Sequence, residues 1–275
     1  VEWLKAHRLQ LGIFAVLILG VVATGFLVVF GESTTNPGGR WRPVPNMSWQ
    51  WQLTGEVDTS LKVDVYAVDL FNTEKTVIQE LIDKNAWVIC SVSVGTVEAR
   101  RPDAGQFPDE VIGNELDGRN GERWLDIRRV DLVGPVIEGR LDECEKKGFD
   151  AVDAGNVDGY LHDTGFDLTA EDQMAFDRWL AGAAHSRGLA IGLRNDPDHA
   201  ADLVDVFDFA VVEGCFAEGW CEQLQPFIDA RKGLLAAEYT DAGLDFGRVC
   251  AEAKEREISV ILKERDLGMF RETCE

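Results

Sequence analysis

Acidic side chains recur in this sequence where short apolar runs stop. Asp69 is the penultimate residue of VDVYAVDL, and Asp153, Asn156 and Asp158 lie in FDAVDAGNVDGY (residues 149–160). Arg194-Asn195-Asp196 ends LAIGLRND, Glu213 follows FAVV, and Glu238-Tyr239 lies at the end of GLLAAEYT. A carboxylate at a buried strand end costs desolvation unless it is paired or wet, so several on one rim describe a polar cavity. Asp196 precedes Pro197 and fits equally well as a helix start. Glu213 has only Gly214 beside it, which leaves room for a ligand to approach. Paired carboxylates with no nucleotide-binding glycine loop and no Ser-His-Asp order point to glycoside hydrolysis. In that chemistry one carboxylic acid protonates the leaving oxygen, and the other attacks the anomeric carbon or activates water. No cofactor is required. No metal site is expected either, because His7, His162, His185 and His199 show neither HxH nor HExxH spacing. His185, in helical AGAAHSRG, reads as a packing or surface residue. Trp49, Trp51, Tyr66, Trp124, Tyr160 and Tyr239 are candidates for sugar stacking, with core packing as the alternative for each.

The runs that carry these residues have the pattern of a (β/α)₈ TIM barrel. Strand candidates are 48–53, 63–70, 86–95, 149–158, 189–196, 207–215, 233–240 and 258–264. Amphipathic helical stretches lie between them, including 73–84, 169–188 and 246–257. Thr169 followed by Glu171 and Asp172 is a helix start, with a hydroxyl cap and first-turn acids that complement the helix dipole. Alternation of this kind implies a parallel sheet closed on itself; an open doubly wound sheet is disfavoured because no glycine-rich phosphate loop follows the first strand. Active sites of such barrels sit at the C-terminal strand ends, where the carboxylates are.

The N-terminus bears on location. Lys5 and Arg8 precede an apolar run from Leu11 to Phe30 in which no side chain is charged. About 20 apolar residues match a bilayer's hydrocarbon core. The segment 1–32 therefore reads as a transmembrane signal anchor, with a cleaved signal peptide as the alternative, whose core is usually shorter at about 7–15 residues. Residues 33–46 read as a Gly- and Pro-rich linker and 47–275 as the barrel. The six cysteines fit disulfides in an extracellular or lumenal compartment, and Cys215 with Cys221 and Cys250 with Cys274 are natural couples. Asn46-Met47-Ser48 is a glycosylation sequon. With 49 acidic and 27 basic side chains the net charge is −22, which repels nucleic acid and anionic lipid and suits a neutral or cationic partner.

Taken in order, WQWQLTGEVD, VDVYAVDLF, RRPDAGQFP, GERWLDIR, KGFDAVDAGNVDGY, LTAEDQ, AHSRGLAIGLRND, DFAVVEGCF and AEYT span the chain from Trp49 onward. Together they closely resemble the endo-α-1,4-polygalactosaminidases, glycoside hydrolase family 114. The resemblance implies a TIM barrel outside the cell or anchored at its surface, and retaining hydrolysis of α-1,4-linked galactosamine polymers, which are cationic when deacetylated. It also implies a catalytic Asp at the end of the fourth strand and a catalytic Glu at the end of the sixth. Glu213 matches the Glu. Against the family's VEPDNVDGY, VDAGNVDGY places Gly155 at the acid position and Asp153 two residues earlier, where the family has Glu. At a rise of about 3.3 Å per residue, Asp153 is set back by about 7 Å on the same face. Retaining glycosidases hold their carboxyls about 5–5.5 Å apart. Ala67 and Asn72 stand where the family tends to have Asp, Ser91 where Tyr is usual, and Val97 and Arg100 where Trp is frequent. The resulting expectation pairs Glu213 with Asp153 as catalytic carboxylates. Asp69, Asp126, Arg128, Asn156, Asp158, Arg194, Asn195, Glu238 and Tyr239 are expected to line the site. A hydrolase of shifted sugar specificity and a glycan-binding barrel with impaired turnover remain as alternatives.

Overall fold

The computed structural model describes residues 39–274. The apolar run from Leu11 to Phe30 lies outside the described residues. Among the described residues, no helix is long and apolar enough to cross a membrane.

In chain order the elements are β1 (Trp49–Gln52), β2 (Val65–Asp69), α1 (Lys75–Asp83), β3 (Trp87–Ser93), β4 (Thr96–Glu98), β5 (Ile112–Glu115), β6 (Glu122–Leu125), α2 (Val130–Lys147) and β7 (Ala151–Gly155). They continue as α3 (Ala170–Ser186), β8 (Ala190–Arg194), α4 (Ala200–Leu203), β9 (Phe209–Glu213), α5 (Cys215–Glu218), α6 (Gln225–Asp229), β10 (Leu234–Tyr239), α7 (Phe246–Glu255), β11 (Ser259–Lys263) and β12 (Glu272–Thr273). β1, β2, β3, β7, β8, β9, β10 and β11 neighbour one another in that order and run parallel. Each expected strand is present, a little shorter than its apolar run.

The sheet curls until β11 returns beside β1. The seam is closed largely by side chains, because β12 pairs antiparallel with β11 through Ile261 and Leu262. Trp49 Nε1 donates to Ser259 O at 2.9 Å, and buried Lys263 donates to Gln50 Oε1 at 3.2 Å and to Gly268 O at 2.8 Å. Burial pushes the Lys263 amine down to about 8.

Two apolar cores follow from the alternation of strand side chains. One lies between the sheet and the surrounding helices. The other fills the barrel, where Ala67, Ala151, Ala190 and Ala237 make room for Trp49, Trp51 and Phe209. Gly192 belongs to this fit: a Cβ there would stand 2.5 Å from Phe209 Cε2. Trp41, in the stretch expected as linker, is buried at the N-terminal mouth and stacks on Trp87 with centroids 5.2 Å apart. Arg40 beside it pairs with Asp208 at 3.2 Å.

α3 begins at Thr169 with a capping box, Thr169 and Asp172 each serving the other's backbone N–H. β4, β5 and β6 form a separate antiparallel sheet inserted between β3 and α2. Buried Arg140 of α2 anchors the insert, donating to Asp103 at 2.7 and 3.1 Å and to Ser93 O at 2.6 Å. Disulfides join Cys215 to Cys221 and Cys250 to Cys274, as the spacing suggests, and Cys90 of β3 to Cys144 of α2.

Candidate active site

The barrel opens at the C-terminal strand ends into a cavity of about 710 Å³. Sharp turns shape its floor. Asn156 directly after β7 and Asn195 directly after β8 both have left-handed backbones, with φ 61° and 54°, a conformation Asn tolerates better than most residues. Asn156 Nδ2 lies 2.9 Å from Ser93 Oγ, Thr96 Oγ1 and Glu122 Oε1, so it ties the end of β7 to the inserted sheet. The approach is close enough that a Cβ on Gly95 would fall 1.7 Å from Asn156 O.

Glu213 ends β9 at the cavity wall, with its side chain 27% exposed. Arg194 Nε donates to its Oε1 at 3.2 Å, the Tyr239 hydroxyl donates to its Oε2, and its own N–H donates to Asn195 Oδ1 at 2.9 Å. Burial pushes the Glu213 carboxyl up, but the Arg194 charge and the hydrogen bonds of Tyr239 and Arg194 outweigh it and hold the group below the usual carboxylate range. Burial and the Glu213 charge push the Tyr239 phenol far above its ordinary value, so it stays a donor. Arg194 also binds Asp153 through Nη1, and its guanidinium lies 4.2 Å above the Trp51 ring. Burial works against its charge, yet Asp153 and Glu213 together hold it protonated.

Asp153 borders the same cavity but is fully buried at its floor. Its Oδ2 takes Arg194 and, at 2.9 Å, Ser91 Oγ, while Oδ1 has no hydrogen-bond partner among the described residues. Gly155 stands on the same face one pleat nearer the opening. A Cβ there would meet Val92 O and Ser93 Cα at 3.6 Å, ordinary contact distance, so the site accepts a side chain that the sequence does not supply.

The other expected residues divide into three groups. Asp69, Asn156, Asp158, Arg194 and Asn195 line the cavity. Asp69 is committed to Arg101, which binds it at 2.9 and 2.6 Å, and to the backbone N–H groups of Phe71 and Asn72. Tyr239 acts through Glu213, and Glu238 points to the outside of β10, where Phe216 N and Ala217 N donate to it at 2.8 and 3.3 Å. Asp126 and Arg128 do not line the cavity; they pair with each other at 2.8 and 2.9 Å below the insert. Their position follows from β6, which the strand pattern did not include: they follow a strand of the insert, not of the barrel.

Sequence reasoning missed Arg101, Glu98, Glu122 and Arg265, all of which line the cavity. Arg265 lies just past β11, where the strand-end rule applied to ILKER would reach it. The others sit in TVEARRPDAG and GERWL, whose alternation is too short to signal strands. Of the aromatic candidates, Trp49 and Trp51 are buried in the barrel, Tyr66 bonds Asp58 O and Leu61 O, and Trp124 stacks on His162 at 4.9 Å. His185 pairs with Asp208 at 2.8 Å, in keeping with a packing role.

This geometry has counterparts among solved structures. The crystal structure of Aspergillus fumigatus Ega3 in complex with galactosamine is 32% identical, covering 89% of this chain and 100% of that one with a TM-score of 0.80. The glycoside hydrolase domain of PelA from Pseudomonas aeruginosa, 12% identical over 83% of this chain and 98% of that one, shares the fold with a TM-score of 0.66. A search of curated proteins finds no match. The profile of glycoside-hydrolase family GH114 matches residues 31–275. The chain with its acid-lined barrel mouth therefore belongs to glycoside-hydrolase family GH114.

Proposed function

We propose that this protein hydrolyses galactosamine-containing polysaccharide at internal α-1,4 linkages, with Glu213 as the principal catalytic carboxylate. The observation that carries the reading is the placement of Glu213: a partly exposed carboxylate at a barrel strand end, held ionised by Arg194 and oriented by Tyr239 and Asn195. Membership of the family and the likeness to the galactosamine-bound Ega3 structure support the substrate class. The acidic surface, net charge −22, suits a polymer of ammonium sugars.

Asp153 is the partner on the same face of the barrel; its Oδ1 is buried and has no hydrogen-bond partner among the described residues, so a donor must descend past Gly155 to reach it. With no carboxylate at position 155, turnover is slow. The burial of Asp153 and its bond to Arg194 favour a second reading, a glycan-binding barrel whose turnover is impaired. Incubation with galactosamine oligomers separates the two. Shortened products that disappear in Glu213→Gln support the hydrolase; retained binding without products in the unmodified chain supports the binder.

The three disulfides support an extracellular location, and Leu11–Phe30 supports anchoring at the membrane. Retention of the protein in the membrane pellet after alkaline washing tests the anchor; release into the supernatant refutes it.

A further inference from the structure

A second cavity of about 390 Å³ adjoins the first. The two share Asp158, Asn195, Glu213 and Arg265, so Glu213 stands at their junction. Their walls differ. Among the described residues, no aromatic side chain lines the main cavity, whereas Trp220 and Tyr239 line the second. The Arg265 guanidinium covers the Tyr239 ring at 3.9 Å, which leaves the Trp220 indole and Leu161, 57% exposed, as apolar surface for a ligand.

The acids of this cavity also separate by availability. Asp196 is buried and bound to Tyr160 at 2.8 Å and His199 at 2.9 Å, and Glu238 is taken by backbone donors. Asp158 has one oxygen 3.2 Å from His162 Nε2, and exposed Glu218 is the acid left most open to a ligand. Glu218 Oε2 accepts from Trp220 Nε1 at 3.0 Å, so the carboxylate and the indole are held as one unit with Oε1 remaining as an acceptor. The loop that bears them is clamped by the Cys215–Cys221 disulfide and docked on β10 through Glu238. Its rigidity limits the ordering cost of binding.

We propose that Trp220, Glu218 and Leu161 form a subsite for one 2-amino sugar unit of the polymer, across Glu213 from the main cavity. The indole packs against the apolar face of the pyranose and draws in the ammonium, from which Glu218 accepts a hydrogen bond. This rests on the hydrolase reading of the main site and assigns where the chain continues beyond the reacting bond.

Calorimetric titration of the full chain with hexameric galactosamine and with its fully N-acetylated counterpart tests the subsite. Trp220→Ala weakens binding of both by about tenfold, and Glu218→Gln weakens only the amine form by a similar factor. Glu218 is exposed, so its variant stays informative if Trp220→Ala fails to fold. Native binding with both variants unchanged overturns the subsite alone. No binding of either oligomer by the native chain overturns the hydrolase reading and the subsite with it.

Discussion

The ends of β7 and β9 present two carboxylates to one cavity under opposite conditions. Glu213 is the last residue of β9, partly exposed, with two donors, Arg194 and Tyr239, on its carboxylate and two cavities meeting at it. Asp153 sits one pleat below the last residue of β7, fully buried, with one oxygen saturated and the other unpartnered. Both point into the barrel and both touch Arg194. Depth along the strand decides which of them meets a substrate. Of these two strand ends, only β9 therefore carries an exposed carboxylate, and the position on β7 that would supply the second is Gly155.

Substitutions at each end sharpen this contrast. Glu213→Gln keeps the shape and removes the charge, and it lowers the rate of oligomer hydrolysis by about 10²–10⁴, the range for a lost acid–base group; product analysis by mass spectrometry reads it. Arg194→Met leaves both carboxylates without their cation and destabilises the fold by about 3–5 kcal/mol, measured by chemical denaturation. Trp41→Ala, at the opposite mouth, costs a comparable ~3–5 kcal/mol through the cavity it opens and leaves the pH profile of hydrolysis unmoved. That last readout separates the site from its scaffold.

The smallest effect concerns pH. The folded Glu213 carboxyl titrates below its unfolded value, so the stability it contributes is present above the unfolded value and is lost as pH falls through the folded one. Thermal unfolding of the native chain should show an acid-side loss that is weaker in Glu213→Gln. Equal loss in both would contradict the assigned environment of Glu213.

The barrel was legible because its strands are short apolar runs at regular intervals and its helices carry the 3.6 period. Glu213, Arg194 and Asn195 were legible for the same reason, since each lies at a strand end. The insert was not. β4 has only three residues and β5 ends in two exposed ones, so burial never imposes a clear alternation. Arg101, Glu98 and Glu122 went unseen with it, and Asp126 and Arg128 were read as rim residues. Trp41 was hidden by its setting, since ESTTNPGGRWRPVPN carries no periodicity and only the packing on Trp87 shows that part of it belongs to the barrel. Asp153 shows a further limit: alternation gives the face of a side chain but not whether solvent reaches it.

The role of Gly155 is tested most directly by the rate at which the native chain and Gly155→Asp shorten galactosamine oligomers. The backbone at 155 accepts a side chain at ordinary contact distance. Slow cleavage by the native chain is expected, with a rise of about 10²–10⁴ in Gly155→Asp as an exposed carboxylate on β7 joins Glu213. A Gly155→Asp rate equal to or below that of the native chain would contradict that role.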